Sequence, residues 1–105
     1  LNKDFFAQCS AHTVLVNVGR GAHLDEKDLL IAIEEKQIKE AYLDVFVEEP
    51  LPENHPFWTN ENVYVTPHIA SVTNATTALK QVADNYNRMK NNETLLNEVS
   101  LERGY

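Results

Sequence analysis

At 105 residues the chain has room for one small domain with a modest core. A formal net charge of −7, with no basic stripe interleaved with aromatics, argues against nucleic-acid binding. No apolar run approaches the roughly 20 residues a bilayer span requires, and a composition with four prolines, three glycines and no repeat argues against fibrous and solenoid classes.

The single cysteine, Cys9, has no internal disulfide partner, which fits a reducing, cytoplasmic setting and reads as a small, partly buried apolar residue. The opening LNKDFFAQCS lacks the basic and apolar regions of a secretory leader and does not begin with Met, so a start partway through a longer protein is expected.

In chain order, Asn2 to Gln8 reads as the end of a helix with Leu1, Phe5 and Phe6 on its apolar side. The β-branched run Thr13 to Val18 (TVLVNV), stopped by Gly19-Arg20-Gly21, predicts a strand buried on both faces. Asp25 is placed as an N-cap, with Glu26 and Asp28 at the positive helix end and Leu29, Leu30 and Ile33 as an apolar stripe. That helix is expected to fade near Lys36 to Lys39. Ala41 to Phe46 (AYLDVF) then predicts a second strand, parallel to the first because a helix separates them.

Pro50, Pro52 and Pro56 make residues 47–62 an irregular loop, with Phe57 and Trp58 expected to pin it to the body by burial. Val63 to Thr66 (VYVT) predicts a third strand ended by Pro67. From about Asn74 the spacing of Ala75, Ala78, Leu79, Val82, Tyr86 and Met89 predicts a helix ending at Asn91 and Asn92. The tail, with Leu95, Leu96 and Val99, reads as extended or docked against another domain. Three strands leave a parallel sheet short of cover, which points to a larger α/β sheet or a dimer.

Ligands of open α/β sheets bind beyond the carboxyl ends of the strands. Arg20 follows the first strand, Glu49 the second and His68 the third. An arginine fork suits a carboxylate, and a histidine beside a carboxylate can exchange a proton near neutral pH, so together the three suit a small oxoacid. Each has a plainer reading: a surface cation, a solvated loop acid, a capping or packing histidine. Asp44, within an otherwise apolar strand, must be hydrogen-bonded or face a cleft. Asn17 either faces the cleft or satisfies backbone groups. His12, His23 and His55 lack the closely spaced partners of a metal site, so no metal is expected. Glu34 and Glu35 read as the solvated side of a helix.

The segments VNVGRG (Val16 to Gly21), LDVFVEEPLP (Leu43 to Pro52) and VTPHIA (Val65 to Ala70) resemble the C-terminal signature of D-isomer-specific 2-hydroxyacid dehydrogenases. HPFW (His55 to Trp58) and the closing ERGY (Glu102 to Tyr105) are most similar to the glyoxylate/hydroxypyruvate reductase A branch. The resemblance implies an α/β fold: the C-terminal part of a Rossmann-like parallel sheet of three strands, followed by a helix and tail returning to the substrate domain. Residues 1–73 would be the closing half of the NAD(P)-binding domain and residues 74–105 the end of the substrate domain.

It further implies that Arg20 grips the substrate, Glu49 partners the histidine and His68 is the acid/base. Val18, Gly19, Arg20, Asp44, His68, Ile69, Ala70 and Ser71 would line the nicotinamide end of NADP or NAD. Gly19 stands where the family often has Ala or Ser, a mild departure. The implied activity is reduction of a small 2-oxoacid to a D-2-hydroxyacid by a full-length homodimer. The glycine-rich phosphate loop is expected upstream, so the 105-residue piece alone is expected to be inactive. Two other readings stay open: a dinucleotide-sensing interaction protein resembling the C-terminal-binding corepressors, and a truncated remnant that folds only against another chain.

Overall fold

The computed structural model describes residues 1–102, so all of the ERGY segment beyond Glu102 lies outside the described residues. The chain divides into two compact units, Leu1–Ser71 and a second beginning at Val72.

The first unit opens with a single helical turn, α1 (Lys3–Phe6), capped by the Asn2 side chain, which accepts the Phe5 N–H. Of its apolar residues only Phe6 is buried, while Leu1 and Phe5 stay exposed. Strand β1 (Val14–Asn17) leads through a 3-10 turn (Gly21–His23) into α2 (Glu26–Glu34). Asp25 caps α2 as expected, its Oδ1 accepting the Lys27 and Asp28 N–H groups at 3.1 and 3.0 Å. Lys36, at φ 59°, turns the chain out of the helix. Strand β2 (Glu40–Leu43), a loop with a 3-10 turn (Pro56–Trp58), and β3 (Val63–Val65) complete the unit. Observed strands are shorter than the apolar runs that predict them, because pairing stops where the chain turns into the edge loops.

The sheet order is β1-β2-β3, all parallel, with Val16 beside Tyr42 beside Tyr64. One face carries Leu15, Ala41, Leu43, Val63 and Val65 into a single core with Leu29, Ala32 and Ile33 of α2, joined by Phe6 and Phe57. The other face is open: Val14, Val16, Tyr42 and Tyr64 are exposed, and the two tyrosine rings stack with centroids 4.6 Å apart. The expectation that β1 is buried on both faces is therefore wrong for this chain, since Val16 is 62% exposed. A β-branched run records that both faces tolerate apolar cover, and the crossover helix covers one.

In the second unit Asn74 caps α3 (Ala75–Lys90) by accepting the Thr76 and Thr77 N–H groups, and Asn91 ends it. The tail turns back on this helix: the Leu96 N–H donates to Asn85 Oδ1 at 2.8 Å and Asn85 Nδ2 donates to the Leu96 carbonyl at 3.1 Å. Leu79, Val82, Tyr86 and Met89 share a face of α3 and are all exposed.

Candidate active site

The carboxyl ends of the three strands carry the residues singled out above. Beyond β1, Asn17 is buried and shapes the turn. Its Oδ1 accepts the Gly19 N–H at 3.2 Å and its Nδ2 donates to the Arg20 carbonyl at 3.1 Å, so it satisfies backbone groups rather than facing a cleft. This turn presents Arg20 to solvent, with Nη1 donating to the Gly19 carbonyl at 2.7 Å. Val18, on the same turn, is 52% exposed.

Beyond β2, Glu49 closes a short loop on itself: Oε1 accepts the Phe46 N–H at 2.9 Å. Its other oxygen, Oε2, meets His68 Nδ1 at 2.7 Å. The Phe46 N–H, then the His68 hydrogen bond, with Arg20 adding a favourable charge, hold the Glu49 carboxyl below its ordinary range. An ionised carboxylate only accepts, so Nδ1 carries the proton in this pair and Nε2 is the nitrogen left for exchange.

Beyond β3, His68 adopts φ 53°, the left-handed region rarely used by residues other than glycine. Asp44 braces that conformation. Just past β2 and only 3% exposed, it accepts the Thr66 hydroxyl at 2.5 Å and the Ile69 N–H at 2.9 Å on Oδ1, and the Ala70 N–H at 2.9 Å on Oδ2. These bonds, the Thr66 hydroxyl first, hold its carboxyl below the ordinary range against the opposing effect of burial. Ile69, Ala70 and Ser71 continue this loop, exposed at the same edge.

A cleft of about 550 Å³ adjoins the His68–Glu49 pair, with Phe46, Leu51, Trp58, Val65 and Pro67 among its lining. Trp58 corrects an expectation. Phe57 is buried as predicted, but Trp58 is 52% exposed on the cleft, its Nε1 donating to the Pro52 carbonyl at 2.8 Å. An aromatic residue in a proline-rich loop signals packing in sequence, and only the loop's path decides which of two neighbours is inside. In sequence Thr66 is marked only as the end of a strand, because its partner lies 22 residues away. Among the described residues no group of three His, Cys, Asp or Glu side chains is arranged to hold a metal ion.

Residues 1–70 match the family described as D-isomer specific 2-hydroxyacid dehydrogenase, NAD binding domain. The chain belongs to the D-isomer specific 2-hydroxyacid dehydrogenase family. Among curated relatives, the glyoxylate/hydroxypyruvate reductases A of Photorhabdus laumondii and Yersinia enterocolitica are each 46% identical over all 105 residues. The chain spans about a third of those relatives' length, 34% in each case. A family member from Xanthobacter autotrophicus, solved with NADPH and MES, aligns over 99% of this chain and 43% of its own at 41% identity, with a TM-score of 0.89. An NADPH-dependent glyoxylate/hydroxypyruvate reductase from Sinorhizobium meliloti, solved with NADP and sulfate, aligns over 100% of this chain and 35% of its own at 33% identity, with a TM-score of 0.86. These neighbours share the α/β, Rossmann-like architecture of parallel strands and helices described above.

Proposed function

We propose that this chain forms the catalytic edge of an NAD(P)-dependent 2-oxoacid reductase of the glyoxylate/hydroxypyruvate type. The observation that carries the reading is the His68 Nδ1 to Glu49 Oε2 contact of 2.7 Å at the carboxyl edge of a parallel sheet. Its support comes from the family match and from the names of its curated relatives.

In this reading Arg20 binds the carboxylate of the 2-oxoacid through its planar fork and orients the carbonyl. His68, as an imidazolium held by Glu49, donates its Nε2 proton to the carbonyl oxygen as it becomes an alkoxide, and is left as the neutral Nδ1–H tautomer that Glu49 keeps in place. In the oxidation of a D-2-hydroxyacid, His68 takes that proton back. The nicotinamide supplies or accepts the hydride when bound.

The residues present fit that group. Val18, Gly19 and Arg20 beyond β1, with His68, Ile69, Ala70 and Ser71 beyond β3, line one sheet edge. Asp44 Oδ2 accepts a single N–H among the described residues, leaving capacity for a carboxamide donor. The phosphate end needs a glycine-rich loop that the 105 residues do not include. We therefore assign the activity to a longer polypeptide. In it, residues 1–73 close the dinucleotide domain, residues 74–105 belong to the substrate domain, and a homodimer is the working form. The lone, half-buried Cys9 suits the cytoplasm.

The test is a steady-state assay of the complete polypeptide with NADPH or NADH and glyoxylate or hydroxypyruvate. Turnover that depends on His68 is the expected result. A folded, cofactor-bound protein with no turnover on either oxoacid would sink the proposal.

A further inference from the structure

The peptide joining Phe46 to Val47 is where the segments bearing Arg20 and Glu49 meet. Gly21, directly after Arg20, packs on it so closely that a Cβ there would lie 2.0 Å from both the carbonyl carbon and the oxygen of Phe46. The two N–H groups at this junction are each taken by a carboxylate. Phe46 N–H donates to Glu49, from the same loop, at 2.9 Å. Val47 N–H donates to Glu26 Oε1 at 3.0 Å, across 21 residues of chain.

Glu26 is the first residue of α2, so it moves with the turn that carries Arg20. Its second oxygen faces the far end of the Glu49 loop: His55 Nε2 lies 3.6 Å from Oε2, a polar contact longer than a hydrogen bond. His55 is fixed in turn by the Phe57 N–H, which donates to its Nδ1 at 3.3 Å, and by an edge-on contact with the buried Phe57 ring. Both Glu26 and His55 are largely buried, with side-chain exposures of 17% and 19%. Helix capping does not require Glu26, because Asp25 already caps α2.

We propose that Glu26 is a positioning residue: by accepting the Val47 N–H and facing His55, it fixes the Glu49 loop against the Arg20 turn and so presents Glu49 to His68. This inference rests on the reductase reading for its catalytic consequence, but not for its structural one. Glu26 touches none of the reacting atoms. Its effect passes through the orientation of Glu49, and misorientation at a reacting centre costs about a hundredfold in rate for a shift of roughly 1 Å.

The experiment compares Glu26→Leu with Glu26→Gln in the complete polypeptide. The two side chains are similar in size, and only glutamine accepts the Val47 N–H. The first readout is the His68 Nδ1–H resonance in nitrogen-15 NMR, assigned by its loss in His68→Gln. The second is kcat and KM with glyoxylate. Glu26→Leu is expected to lose or broaden the resonance and to lower kcat about ten- to hundredfold with little change in KM. Glu26→Gln is expected to keep the resonance and to stay within about threefold of the parent kcat.

An unchanged resonance in Glu26→Leu, or equal losses in the two variants, overturns the proposal. If Glu26→Leu does not fold, Glu26→Gln decides alone: a lost resonance in that folded variant is equally fatal. Absence of turnover in the unsubstituted protein counts against the reductase reading only, since the resonance is read without substrate.

Discussion

His68 combines a left-handed backbone, at φ 53°, with a 2.7 Å contact to Glu49. A non-glycine residue in that region costs of order 1–3 kcal/mol and persists only when its surroundings over-determine it. Asp44 supplies that determination through the Thr66 hydroxyl and the Ile69 and Ala70 N–H groups, which bracket His68 on both sides. Replacing His68 by Ala in the complete polypeptide is expected to lower kcat by about 10²–10⁴ while leaving KM within a few fold, as measured by steady-state kinetics. Arg20→Lys, which keeps the charge and loses the fork, is expected to lower kcat/KM by roughly 10–100-fold, with KM rising.

The pH dependence follows from Asp44 and Glu49. Both carboxyls sit below their ordinary values of 3.8 and 4.5 in the folded chain. A depressed folded value means that their contribution to stability is complete above the unfolded value and is lost as pH falls through the folded one. The difference in urea midpoint between the parent and Asp44→Asn is therefore expected to stay level from about pH 7 to about pH 5 and to shrink only below the ordinary aspartate range. A difference that already fades between pH 6 and pH 5, on the order of one pH unit too early, would contradict the assigned hydrogen bonds.

Among the elements, the turn after β1 shows how two glycines of one motif differ. Gly21 abuts the Phe46 carbonyl, and Gly21→Ala must push two chain segments apart, at a cost of about 1–3 kcal/mol in denaturant unfolding. At Gly19 the obstacle is movable: a Cβ there would stand a tight 3.2 Å from His23 Nδ1, but that side chain is exposed and able to swing away, so Gly19→Ala is expected to fall within about 0.5 kcal/mol of the parent. The motif's register was legible in sequence because a β-branched run ending in glycine marks a strand and its stop. The backbone that excludes a side chain at Gly21 was not, since it belongs to residues 25 and more positions later. Trp58 likewise became visible as a cleft residue only once the Pro50-to-Pro56 loop had a path.

For the whole molecule, Val14, Val16, Tyr42 and Tyr64 on the open sheet face of the first unit, and Leu79, Val82, Tyr86 and Met89 on one face of α3 in the second, are all exposed, and contiguous exposed apolar residues of this kind favour association. The 105-residue chain by itself is expected to self-associate in sedimentation experiments, and Val16→Lys, in the middle of the open face, to shift it toward monomer. A longer polypeptide that covers these faces should show neither effect. The parallel crossover between β1 and β2, the α2 cap, the extent of α3 and the placement of Arg20, Glu49 and His68 beyond three successive strands were legible in the linear chain. Each follows from local rules: β-branched runs extend, caps start helices, and a strand-helix-strand order forces parallel pairing. The fold decided the rest: which face of β1 is covered, where Asp44 and Glu26 send their carboxylates, and which of Phe57 and Trp58 is buried. Those outcomes depend on contacts 20 or more residues apart, such as Thr66 to Asp44 and Val47 to Glu26, and such contacts leave no periodic trace along the chain.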